Sequence, residues 1–205
     1  MRTMNDRRKQ IIDAATVLVG RQGYQNTSID EVIREAKLCG KGHFYHYFKS
    51  KEELGYAVLA RQFEHFTERG LAILSDPMVE PLERLTRFID AVVKSHGERG
   101  CAEGCPFGNL AAEMADGHEG FRQKIEAVFE RWSAQIQSLL REARPELEDG
   151  VDIARLARFV IATLEGALMM SRVTREISVM EGIAEDLKRF VATHVRDRAL
   201  VSRSG

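Results

Sequence analysis

Two copies of one punctuation pattern stand near the start of the chain: Ser28 with Glu31 three residues later, and Ser50 with Glu53. A serine cap and a glutamate at this spacing satisfy two amide donors that the first turn of a helix leaves open, so each pair marks a helix start. Ahead of the first pair, Ile11, Ala14, Ala15, Leu18 and Val19 fall on one helical stripe that stops at Gly23, a residue suited to a C-cap. Thr27 or Ser28 caps a second helix, which ends near Ala36–Leu38. A third short segment, GKGHFYHYF, fills the space before SKEEL, where Leu54, Val58 and Leu59 begin the stripe of a long helix. The chain therefore opens with three helices in fewer than 50 residues.

Helical periodicity continues beyond this point, with further helices expected at about 81–99, 107–116, 118–143, 151–175 and 180–198. Of four prolines, Pro77, Pro81 and Pro145 lie in or beside breaks. No segment reads as paired strands, and the expectation is an all-α fold of about nine helices. The chain has 205 residues, 44% of them hydrophobic and 30% charged, which excludes a disordered protein. No apolar run reaches the roughly 18 residues a membrane span needs. The first residues lack a signal-peptide core. Cys39, Cys101 and Cys105 cannot all pair, so a disulfide framework is excluded and a reducing cytoplasm is the expected setting.

The formal net charge of −1 conceals an asymmetry. Residues 1–50 hold nine Lys/Arg against five acids, while residues 51–205 hold 21 against 26. The first part suits a polyanion and the rest would repel one. Clustering on a solvated face is the alternative that charge alone leaves open.

The helix pattern adds to the charge without deciding alone, because a helix-turn-helix also occurs in helical proteins that do not bind DNA. Two short helices joined by a tight turn form the helix-turn-helix plan, in which the last helix lies in the major groove. Lys41 brings charge to that helix, Gly42 allows close approach, and His43 offers a donor or acceptor to a base edge. Tyr45 and His46 reach toward phosphates, and Thr27, Ser28 and Lys51 stand at helix starts whose amides also face phosphates. Phe44, Tyr47 and Phe48 are expected to pack the small core. The segments RRKQIIDAATVLVGRQGYQNTSIDEVIREA and KGHFYHYFKSKEEL, within about residues 7–60, resemble the N-terminal domain of TetR-family transcriptional repressors. That resemblance implies a homodimer with two DNA-reading heads, here residues 1–50, on larger helical bodies that sense an effector and dimerise, here residues 51–205. One departure is visible. The turn Lys37-Leu38-Cys39-Gly40 is a residue longer than usual, with Gly40 as the extra.

In the body, Leu156, Val160, Leu164, Ala167 and Leu168 keep helical spacing, as do Leu187, Phe190 and Val191. On family grounds these stripes are expected to form a four-helix dimer interface, the alternative being packing inside the monomer. Cys105 stands just ahead of Pro106 and a helix start, where amide dipoles favour a thiolate. The segment is similar to one in the electrophile- and oxidant-sensing branch of the family, which makes Cys105 a sensing candidate, possible also as a disulfide with Cys101. An inert cysteine at a helix start remains the alternative. A small-molecule pocket is the other sensing option, drawing on Phe63, Phe66, Phe107, Asn109, Trp132, Glu165 and Met169. His96, Cys101, Cys105 and His118 match no tight zinc spacing, so neither metal nor cofactor is expected.

The leading reading is a repressor released from a near-palindromic operator by a small-molecule or thiol-reactive effector. The competing classes are a helical module whose basic head binds an acidic protein, and an enzyme with Cys105, His96 and Glu113 as nucleophile, base and orienter. No phosphate loop, metal pair or nucleophile elbow supports the enzyme, and none is expected.

Overall fold

A computed structural model describes residues 4–196. Among them run nine α-helices: α1 Met4–Gln22, α2 Ile29–Glu35, α3 Lys41–Tyr45, α4 Lys51–Leu74, α5 Pro81–Glu98, α6 Pro106–Met114, α7 Glu119–Glu142, α8 Ile153–Thr174 and α9 Ile177–Ala192. A short 3-10 turn, Arg144–Glu146, follows α7. The described residues form no strand beyond an isolated bridge between Leu147 and Val195. The all-α expectation holds. The last helix starts three residues earlier than its pattern suggested and stops at Ala192; residues 197 and 198 of the expected span lie outside the described residues.

The residues fall into two compact units. One comprises the chain up to Arg69 together with Cys105–Val128; the other comprises Gly70–Gly104 and the chain from Phe129 onward.

The first unit begins with the expected punctuation. Ser28 Oγ accepts from Glu31 N–H at 3.2 Å, and Glu31 Oε2 accepts from Ser28 N–H at 2.7 Å, so the capping box is complete. Those bonds to Ser28, helped by Gln22, pull the Glu31 carboxyl down to about 2. The second box is shifted by one residue. Ser50 Oγ accepts from Glu53 N–H at 3.0 Å, but the Glu53 carboxylate takes the amide of Lys49 at 2.8 Å. These helices close over Ile11, Ile12, Ala15, Val32, Ile33, Ala36, Phe44, Phe48, Leu54 and Val58, all buried. Removing Phe44 and Phe48 from water contributes about 2–3 kcal/mol each, which holds a five-residue helix that could not persist alone.

In the second unit α8 and α9 form the most extensive helix pair. The buried Arg84 links the ends of two other helices, donating to Leu74 O at 3.0 Å and to Glu142 Oε2 at 2.6 Å. A closed ring of polar contacts joins the ends of α5 and α8. His96 Nε2 meets Ser171 Oγ at 2.7 Å, and Ser171 O accepts from Arg175 N–H at 2.8 Å. The Arg175 guanidinium donates to Cys101 O at 3.3 Å, and Cys101 N–H donates to His96 O at 3.2 Å. Both Cys101 and Arg175 are left-handed, with φ of 54° and 61°.

Candidate nucleic-acid interface

The turn between α2 and α3 decides where the third helix points. Ala36 ends α2, and Lys37 turns left-handed with φ of 51°. Lys37 N–H then donates to Arg34 O at 3.0 Å and Leu38 N–H to Ile33 O at 2.9 Å, the paired bonds of a Schellman ending. Leu38 packs back onto the head core, the apolar contact that accompanies this motif. Gly40 caps α3 with φ of 152° and ψ of −175°, a region open in practice to glycine alone. The turn is thus held by one left-handed lysine and one glycine, and α3 starts at Lys41.

The orientation of α3 follows from its aromatics. Phe44 and Phe48 are fully buried and lie 5.9 Å apart, with Arg8 stacked over Phe48 at 4.7 Å. The remaining positions are pushed outward. Lys41, Gly42, Tyr45 and His46 are exposed and His43 is half-exposed. Tyr47 is half-buried against the core, its ring 5.7 Å from His43 and 4.9 Å from His46, so it holds both imidazoles at the surface. Lys41 Nζ is 3.2 Å from Asp30 Oδ2 on α2. Ser28 is exposed at the start of α2.

Two of the eight residues expected to face DNA are placed differently from the rest. Thr27 is buried and donates its hydroxyl to Gly23 O at 2.7 Å, so it braces the turn from inside. Lys51 turns back toward the α1–α2 turn, donating to Gln25 O at 3.0 Å and lying 4.6 Å over the Tyr24 ring. Partial burial makes its ammonium easier to deprotonate than an ordinary lysine's, against the opposing pull of Glu113 and Glu31. Burial, helped by Glu52 and Tyr56, pushes the Tyr24 phenol up to about 12. Residues 105–128 add a contact that local spacing cannot reveal. Glu113 on α6 accepts the Gln25 amide at 2.9 Å.

The sensing candidates divide between the units. In the first unit, Phe63 and Phe66 both meet the fully buried Phe107 edge-on at 6.4 Å. Cys105 is the N-cap of α6, is buried, and makes no side-chain cap hydrogen bond; Asn109 N–H donates to its carbonyl at 2.9 Å. Trp132, Glu165 and Met169 belong to the second unit, where Trp132 is buried and Met169 is exposed on α8. Of the residues expected at a dimer interface, Leu156, Val160, Leu164, Ala167, Leu168, Leu187 and Val191 are buried inside this single chain, and Phe190 is exposed. The outward faces carry apolar residues not singled out for dimerisation: Phe159, stacked on Phe190 at 4.4 Å, and the exposed Met170 and Val173.

Two family models match the chain. Bacterial regulatory proteins, tetR family, matches residues 11–58, and the Tetracyclin repressor-like C-terminal domain matches residues 81–187. The transcriptional regulator AcuR of Cereibacter sphaeroides is 27% identical over 191 residues, covering 92% of this chain and 87% of that protein. The repressor NemR of Escherichia coli is 24% identical over 193 residues, covering 93% and 96%. The crystal structure of a TetR transcriptional regulator from Chloroflexus aurantiacus superposes with a TM-score of 0.86 at 29% identity, over 96% of this chain and 99% of that one. With a helix-turn-helix whose third helix turns its polar face outward, and a match that runs on through the helical body, the chain belongs to the TetR family of DNA-binding transcriptional regulators.

Proposed function

We propose that this regulator is a homodimeric repressor whose two heads read a near-palindromic operator and which a small-molecule or thiol-reactive effector releases. The observation that carries the reading is the face of α3: Lys41, Gly42, Tyr45 and His46 stand outward because Phe44 and Phe48 anchor the helix from behind. His43 presents an imidazole to a base edge, Tyr45 and His46 reach toward phosphates, Ser28 stands at a helix start whose amides face phosphates, and Lys41 supplies charge. The protein works by binding rather than catalysis. Two members of the alternative catalytic trio are engaged in structural bonds, His96 with Ser171 and Glu113 with Gln25.

Dimerisation draws support from the outward faces of α8 and α9. Val173 is 80% exposed and Met169 64%, an apolar stripe of the kind an isologous four-helix contact covers. Among the described residues no helix is long and apolar enough to cross a membrane; operator binding places the protein in the cytoplasm with its DNA. Effector release then follows from differential affinity: a compound that binds the form with misplaced heads shifts the population away from DNA.

The test is selection of bound fragments from the protein's own genome, followed by titration of one selected duplex at several salt concentrations. Tight binding that weakens steeply with salt, with random duplex bound far less well, supports the reading. Equal affinity for selected and random DNA would refute it.

A further inference from the structure

We propose that Glu113 is a positioning residue for DNA binding, fixing the start of α2 to α6 and so coupling the two. Both backbone polar groups of Gln25 are held from outside the turn. Its N–H donates to Glu113 Oε2 at 2.9 Å and its carbonyl accepts from Lys51 Nζ at 3.0 Å. The Gln25 side chain also donates, through Nε2, to Glu113 O at 2.8 Å. Gly23 leaves room for the carboxylate, for a Cβ there would lie 2.6 Å from Glu113 Oε1. Tyr24, between them, packs its ring 5.1 Å from Phe121 on α7.

The turn does not need Glu113 to close. Asn26 and Gln22 exchange side-chain bonds with each other's carbonyls at 3.0 Å, and Thr27 donates to Gly23 O at 2.7 Å. What Glu113 adds is a charge-assisted tie to a segment 88 residues away. Ser28, three residues after Gln25, begins α2 and faces outward. At the other end of the tie, Cys105 caps α6, and eight residues of helix carry any displacement there about 12 Å to Glu113. A displacement of α6 therefore moves the α1–α2 turn, and by reciprocity DNA bound at the head restrains α6. The inference rests on the DNA-binding reading above.

The experiment measures hydrogen exchange of the full-length wild type and of Glu113→Ala, with and without a selected operator duplex, over residues 23–28 and 106–114. In the wild type the duplex is expected to slow exchange in both segments. In Glu113→Ala it slows exchange at 23–28 while the effect at 106–114 is lost, and operator affinity falls about tenfold with the melting temperature nearly unchanged. Glu113→Gln, whose amide oxygen can still accept from Gln25, restores part of both. Should Glu113→Ala fail to fold, Gln25→Ala removes the second bond at an exposed position and is expected to weaken the same coupling. Equal duplex-induced protection of 106–114 in wild type and folded variants overturns the proposal while leaving the DNA reading intact. A wild type that prefers no duplex over random DNA overturns both.

Discussion

Lys41 and Asp30 face each other across the α2–α3 turn, Nζ 3.2 Å from Oδ2, with both side chains more than half exposed. An exposed pair of this kind contributes little to stability, so its consequence lies in what Lys41 can reach. Asp30 competes with a phosphate for the same ammonium. Asp30→Asn is expected to tighten binding to any duplex several-fold at low salt, with less gain for the operator than for random DNA. Lys41→Ala is expected to weaken operator binding and lower the salt slope by about one. Fluorescence titration at three salt concentrations reads both; an unchanged slope in Lys41→Ala would remove this lysine from the interface.

The two unusual backbone positions of the turn should respond in opposite ways. Gly40→Ala forces a side chain into a conformation only glycine populates, and is expected to cost about 1–3 kcal/mol. Lys37→Gly relieves a left-handed lysine at a helix end and is expected to stabilise by up to about 1 kcal/mol. Urea denaturation checks both signs.

Acid should loosen the α5–α8 junction. His96 is fully buried, and desolvation, aided by the nearby charge of Arg99, holds its imidazole below the ordinary 6.5. The unfolded chain therefore binds this proton more readily, so the contribution is complete above pH 6.5 and is lost as pH falls toward the depressed value. Comparing wild type with His96→Gln, the wild-type stability should fall more steeply with acid below pH 6.5. Parallel profiles would show that His96 does not titrate on unfolding.

The proposed dimer face has its own test. Phe190→Glu combined with Val173→Glu places charge on an exposed apolar surface and leaves the buried α8–α9 seam untouched. Sedimentation should shift from dimer to monomer with helicity retained, and operator affinity should fall by more than tenfold because the two heads no longer bind as one unit. A variant that stays dimeric would move the interface elsewhere.

Thiol chemistry should separate the three cysteines. Cys39 is exposed while Cys101 and Cys105 are buried, so a disulfide dye should label Cys39 at least tenfold faster than the others in the native protein. If release from DNA by an oxidant depends on Cys105, Cys105→Ser should blunt it, and the rate of release should follow the slow labelling phase. Release at the fast Cys39 rate would assign sensing to Cys39.

Local features of this protein were legible because they act within a turn or two. The Ser28–Glu31 box, the stop at Gly23 and the apolar stripe of α1 each declare themselves over a few residues, and the helices follow. Stripes fared differently. The spacing of Leu156, Val160 and Leu164 identifies an apolar face but not what covers it, and here all three are buried within the single chain. Lys51 reads as an outward cation by position, yet turns toward Gln25 because the Tyr24 ring and the Gln25 carbonyl sit beside it. Contacts such as Glu113 with Gln25 or His96 with Ser171 join residues 88 and 75 positions apart, beyond any periodic signal.

Cys39, beside the glycine that launches α3, offers a practical handle. A nitroxide attached there would need no engineered residue, and in a two-fold assembly it yields one pair distance. Pulsed dipolar spectroscopy of that pair would follow the separation of the heads directly, with DNA, without it, and as each test compound is added.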